Sequence, residues 1–218
     1  MKFSKILERS SFSGNKVFIT SDWHLGEEKA ENNHSFLSDI GVEDKKILCR
    51  SLIDNLPSNS KIIFLGDAAI SEESLNEFIT YFDIPKVIDK TFILGDKETE
   101  FLPNKKDLPL DKIKNILEDN GWKVFDKLIS NVGGKVTLII HRPTDAIKEL
   151  TDDIEMVLCG HVHGIWRTQK ILKDNKEIPI INVGIDAWAN QLVNQVYIEH
   201  QYNAVKKGYY DKNCFINI

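Results

Sequence analysis

Five short apolar runs in this sequence each stop at an aspartate or a histidine. Residues 17–21 lead to Asp22, with His24 two positions on; residues 62–66 lead to Asp67, and residues 91–95 to Asp96. Residues 136–140 lead to His141, and residues 156–160 to His161, with His163 close behind. Runs this short, rich in β-branched residues and bounded by glycine or polar residues, predict buried strands. Ligands in stacked α/β sheets collect beyond the carboxyl ends of such strands. Seven metal-ligating side chains delivered to one edge of a fold therefore predict a multi-ligand metal site. Singly, an aspartate after a strand is usually a turn or helix cap, and a histidine is usually a satisfied core or surface residue. The grouping carries the weight: four of the six histidines stand at these strand ends, while His34 and His200 are given no role.

Between these runs the pattern alternates with helices. Residues 41–56 predict a helix with Ile47, Leu48, Leu52, Ile53 and Leu56 on one stripe, ended by Pro57. Ser71 followed by Glu72 and Glu73 predicts a helix start, with the helix running to about Phe82. Residues 86–88 and 91–94 read as strand-like, and residues 111–120 as a short amphipathic helix closed by Gly121. Hairpins are predicted for 124–130 with 135–140, and for 165–172 with 178–183. Residues 195–201 with 209–215 read as a further strand. Strands mixed with helices, plus late hairpins, predict an α/β fold of two packed sheets with helices outside, in a single domain over 1–218.

A net charge of −5 argues against an extended nucleic-acid surface but leaves a small phosphate substrate open, since bound dications reverse the local sign. Cys49, Cys159 and Cys214, with no close pair, read as reduced thiols of a cytoplasmic protein, Cys159 being a small core residue. No apolar stretch is long enough to span a membrane, and residues 1–13 lack the continuous apolar region of a signal peptide.

Mixed imidazole and carboxylate ligands suit Mn, Fe, Zn or Ni better than Ca or Mg. Seven ligands exceed the needs of one tetrahedral ion. Two ions about 3.5–4 Å apart, sharing a carboxylate, would use them all, generating hydroxide near neutral pH and clamping a phosphoryl group. The glycine before Asp67, Asp96 and His161 is expected to turn the backbone so that the next side chain enters the cleft.

The order Asp22-x-His24, Gly66-Asp67, Gly95-Asp96-Lys97-Glu98, His141 and Gly160-His161-x-His163 resembles the calcineurin-like metallophosphoesterase family over about residues 16–190. Residues 182–188 resemble a tail motif of its small bacterial and phage members, although Trp188 reads best as an aromatic plug. The resemblance implies a four-layer α/β/β/α sandwich of two mixed sheets and hydrolysis of phosphomonoesters or phosphodiesters by a metal-activated water. It implies one ion held by Asp22, His24 and His163, another by Asp96, His141 and His161, and Asp67 bridging. Manganese is the ion expected first, with Fe, Zn, Ni or Mg as alternatives, and a nucleotide or nucleic-acid end is among the expected substrates.

The third motif departs from the family's Gly-Asn-His followed by Asp or Glu. Asp96 can still ligate but adds a negative charge that weakens the pull on an anionic phosphate. Lys97 restores that charge and takes the place of the family's histidine, as proton donor or as a point charge on a phosphate oxygen. Arg142 is a second candidate for gripping phosphate, weighed against a surface salt bridge. Lys97, Arg142 and Asp67 are thus the expected catalytic residues. The alternative is a metal-binding but weak or inactive relative acting as an interaction module. Specificity is expected in the loops 27–39 and 98–109, and Lys105-Lys106 is a pair rather than a basic patch.

Overall fold

The computed structural model describes residues 11–12, 16–27, 41–99 and 109–211. A five-stranded sheet places β2 (Val17–Thr20), β3 (Ser60–Phe64), β4 (Val87–Ile93) and β5 (Trp122–Phe125) side by side and parallel. The short β11 (Val193–Asn194) lies antiparallel against β2 at the far edge. The second sheet has six strands in the order β1 (Ser11–Phe12), β6 (Lys127–Val132), β7 (Lys135–Ile140), β8 (Met156–Cys159), β10 (Lys176–Asn182) and β9 (Thr168–Lys173). It is mixed: β7, β8 and β10 are parallel, while β6–β7 and β9–β10 are hairpins.

Residues along each strand alternate between two cores, as the pleat requires. Ile63 and Ile93 point at the second sheet and meet Leu128, Ile139, Leu158 and Ile181 between the layers. Their neighbours Ile62, Phe64 and Phe92 face the other way, under α1 (Val42–Asp54), α2 (Glu72–Tyr81) and, beyond the short α3 (Asp96–Thr99), α4 (Leu110–Asp119). On the outer face of the six-stranded sheet, Leu138, Val157 and Ile180 bury against Ala146 of α5 (Pro143–Glu149). The result is four layers: helices, sheet, sheet, helix. No helix is long and apolar enough to cross a membrane among the described residues.

Ser71 caps α2 as expected, accepting from the Ser74 amide while the Ser74 hydroxyl accepts from the Ser71 amide. Other expectations need correction. Residues 86–88 and 91–94 form one strand, β4. Residues 122–125 leave the expected hairpin to join the other sheet, so the hairpin is β6 with β7. On α1, Ile47 departs from the expected stripe and is 66% exposed, whereas Ile53 and Leu56 are buried, Leu48 and Leu52 pack against the same core, and Lys45 and Cys49 join the buried face. The tail beginning at Gln195 is not a strand but a helix, α6 (Gln195–Lys206). Asn194 caps it by accepting from the Val196 amide, and Gln195, Ile198 and Val205 bury at helical spacing. The helix α5 was not anticipated, although Pro143 at its first turn is a fitting signal. Cys49 and Cys159 are buried and free, whereas Cys214, His34, the loop segments 28–40 and 100–108, and Lys105-Lys106 lie outside the described residues.

Trp23 links the core to the strand-end loop between Asp22 and His24. Its indole is fully buried, donates to Thr20 Oγ1 at 3.0 Å, and packs on Phe64, Phe78 and Phe82 with ring centroids 5.3–5.9 Å away. Truncation would open a large cavity directly beneath two strand-end side chains. Trp23→Ala is expected to lower unfolding free energy by about 3–5 kcal/mol in urea denaturation; a loss below 1 kcal/mol would show that this loop is held by other means.

Candidate metal centre

The carboxyl ends of β2, β3 and β4 meet those of β7, β8 and β10 where the two sheets touch. Ser21 forms a parallel bridge with Gly184, and Val183 donates to the Cys159 carbonyl at 2.7 Å. Here the structure brings together three groups of side chains whose ligand atoms lie within 4.8 Å of one another: Asp22, His24 and His163; Asp96, His141 and His161; and Asp22, Asp67 and His141. These groups can hold metal ions.

The loops reach this geometry through strained backbone. Asp22, His24, Asp67, His161 and His163 all have positive φ, between 46° and 71°. Non-glycine residues rarely adopt this conformation, and its clustering marks a functional site. Two of the three neighbouring glycines serve a different purpose from the one expected. Only Gly66 turns through positive φ, at 79°, while Gly95 and Gly160 are required by crowding. A Cβ on Gly95 would sit 2.5 Å from both the amide nitrogen and Oδ1 of Asp67, and one on Gly160 would strike the Ser21 hydroxyl.

Polar contacts then fix each side chain. The Ser21 hydroxyl and the His161 amide both donate to the Asp22 carboxylate, so a loop of one sheet clasps the acid of the other. His141 Nδ1 lies 2.5 Å from the Leu65 carbonyl, which accepts its proton and leaves Nε2 with a lone pair facing the cleft. Nε2 of His24 and Nε2 of His141 are buried without a hydrogen-bond partner, 3.6 and 3.5 Å from Asp67 Oδ2 and Oδ1. That is too long for a hydrogen bond. It matches two ligands about 2.1 Å from a shared ion at a tetrahedral angle, which lie about 3.4 Å apart. The donor set thus fits bound divalent cations.

The electrostatics point the same way. Burial favours the neutral forms of Asp67 and His141, but their mutual attraction overrides it. Asp67 is held well below the usual carboxylate range and His141 is pushed up. Burial likewise opposes the lowering of Asp96, yet His161 and Arg142 bring it to about 2. His163 is raised against its burial by Asp186 and then by Asp22. A pocket that makes imidazoles hold protons so strongly is negative enough to favour a cation in their place.

Lys97 and Arg142 also stand here, each already engaged. The Lys97 amide donates to Asp67 Oδ1 at 2.8 Å, and its ammonium pairs with Glu27 Oε1 at 3.3 Å. Arg142 Nε donates to Asp96 Oδ1.

Five supporting residues were missed from sequence. Glu98 was quoted as part of the third motif but given no function. Its buried carboxylate accepts from the amides of Gly95, Asp67 and Ala68 at 2.8–3.0 Å, tying the ends of β3 and β4 together. Burial and then the Asp67 charge push its pKa up to about 7. Asp186 Oδ2 lies 2.9 Å from His163 Nδ1, and Asn182 donates to the His163 carbonyl at 2.7 Å, so the tail motif positions a candidate ligand. Asp186 stands near the visible pattern, two positions after the Gly184 that follows a buried strand. Glu27 sits 2.9 Å from His24 Nδ1, held at about 2 as His24 and Lys97 overcome its burial. Lys45, buried on α1, donates to the carbonyls of His24 and Glu27 at 3.2 Å. A lysine inside a helix pattern gives no signal of this.

The chain is similar in structure to a protein of unknown function, AQ665 from Aquifex aeolicus, with TM-score 0.59 and 16% identity over 84% of this chain and 97% of that one. That likeness shows a shared fold. Lower similarities are to an archaeal phosphodiesterase (TM-score 0.44, 17% identity, covering 77% of this chain and 82% of that one) and to phosphopantetheinyl hydrolase from Mycobacterium tuberculosis (0.46, 13%, 82% and 95%). No protein-family model matches the chain, and no curated protein matches it in sequence.

Replacing Glu98 by Gln would leave one acceptor oxygen for three amides and set an NH2 donor among them. Glu98→Gln is expected to cost on the order of 3 kcal/mol in chelator-treated protein, read by urea denaturation; an unchanged midpoint would show that these amides are satisfied otherwise.

Proposed function

We propose that the chain is a two-metal-dependent hydrolase of phosphate esters of the calcineurin-like metallophosphoesterase type. The observation that supports this most is the pair of adjoining ligand triads, with Asp67 between orphaned imidazole nitrogens of each. In this reading Asp22, His24 and His163 hold one ion, Asp96, His141 and His161 the other, and Asp67 bridges. Two such ions, manganese in the first instance, would supply a nucleophilic water and neutralise the phosphoryl oxygens when bound. Asp186 and the Leu65 carbonyl hold His163 and His141 in the tautomer that presents a lone pair to the ion. Lys97 stands where the family's histidine would be, and Arg142 orients Asp96 through its Nε. A negative Asp96 offsets part of the metals' charge, which Lys97 and Arg142 return.

The second reading, a metal-binding module with little turnover, draws on one observation: both expected phosphate-gripping cations are paired with carboxylates, Glu27 and Asp96. Asp67→Asn separates the two. The hydrolase reading expects metal content by elemental analysis to fall and manganese-dependent hydrolysis of bis(p-nitrophenyl) phosphate to drop at least a thousandfold. A wild-type protein that binds metal but shows no hydrolysis dependent on Asp67 would favour the module.

Without a histidine acid, esters with poor leaving groups should suffer most, because those need protonation. Activated aryl diesters are expected to turn over at least tenfold faster than alkyl monoesters such as glycerol phosphate. Equal rates would show that Lys97 replaces the acid fully.

A further inference from the structure

The loop that carries His163 continues into the wall of a cavity of about 800 Å³, lined among others by Gly164, Ile165, Arg167, Asp186 and Tyr209. Asp186 belongs to both places, since its carboxylate holds the His163 ring. The cavity wall and the surroundings of the candidate ligands therefore share one residue.

The cavity wall carries the carboxylates of Asp186 and Asp211 and the guanidinium of Arg167. The Asp186 carboxylate is committed to His163, and Asp211 accepts from the amides of Arg167 and Thr168 at 2.7 and 3.0 Å. Arg167 is held flat by two contacts: Nε donates to the Ala187 carbonyl at 2.8 Å, and the guanidinium lies 4.7 Å from the Trp188 ring centroid. Among the described residues its terminal nitrogens meet no carboxylate, leaving a pre-oriented fork that suits a planar bidentate anion. At the same rim Tyr209 is 72% exposed and Ile165 52% exposed, an apolar surface that offers a ring something to stack on.

The cavity on the other side of the centre, beside Asp96 and His141, differs. There Lys114 pairs with Asp126, Lys127 with Glu149, Lys148 with Asp145 and Arg142 with Asp96, so no cation is left over among these residues. Only the first cavity combines an uncommitted cation with exposed aromatic and apolar surface.

We propose that this cavity is the subsite for the organic arm of the substrate, and that the arm carries an aromatic ring and a second anionic group, the chemistry of a nucleotide. The proposal rests on the reading of the metal centre as the place where the phosphoryl group reacts. Arg167 would take the second anion and Tyr209 would stack on the ring.

Calorimetric titration of manganese-loaded protein with adenosine 3′,5′-bisphosphate and with adenosine 5′-monophosphate tests it. The bisphosphate is expected to bind at least tenfold more tightly. Arg167→Gln should remove that preference, Arg167→Lys should keep part of it, and Tyr209→Ala should weaken both nucleotides several-fold, with folding checked by circular dichroism. Equal affinities in the wild type, or a preference surviving in Arg167→Gln, would overturn the subsite while leaving hydrolysis of an aryl diester untouched. An Arg167-dependent preference in a protein that hydrolyses no ester would support the subsite and overturn the hydrolase reading.

Discussion

The two sheets of this molecule pack over an apolar layer, but at the carboxyl ends of their strands the contact between them is made by backbone and carboxylates. Ser21 pairs with Gly184 across the seam, and Asp22 accepts from the His161 amide. Some of the charged groups at that seam are held from the opposite sheet, His141 by the Leu65 carbonyl and Asp96 by His161 among them. Gly160 marks where a single methyl group would strike Ser21 and Asp22 of the other sheet. The apolar layer beneath, from Val17 to Ile181, supplies the burial that holds the arrangement together. The seam determines what the arrangement can do.

Acids and imidazoles gathered this closely would repel or protonate if left alone. Asp67 and His141 show the tension, each moved from its ordinary protonation by the other. A bound cation would resolve it. The support extends below the cleft, where Lys45 and Glu98 spend buried charges on amides and carbonyls of the ligand loops. Burying such groups is costly unless every hydrogen bond is made, so both restrict the loops to few conformations.

The layered α/β architecture was legible because its strands are short, apolar and sharply ended, and because parallel strands in register finish together. The gathering of strand-end acids and histidines follows from that. Less visible were elements whose local pattern was ambiguous. Residues from Gln195 onward alternate polar and apolar well enough to read as a strand, yet a capping asparagine and three buried positions make a helix. Trp122–Phe125 lies next to β6 in sequence but in the other sheet, a choice set by packing against β4. The supporting residues Lys45 and Asp186 act through contacts between segments more than twenty residues apart, which no local spacing encodes.

Five of the seven strand-end side chains sit on left-handed backbone. Among residues with a Cβ, asparagine, aspartate and histidine tolerate that conformation best. The vocabulary of these positions is therefore limited twice, by what can bind a cation and by what can occupy the turn. Exchanging an aspartate there for asparagine changes the chemistry but spares the chain path, whereas valine or isoleucine would damage both. Chemistry and foldability can thus drift apart by one atom at a time, which gives this scaffold a cheap route to silent, intact descendants.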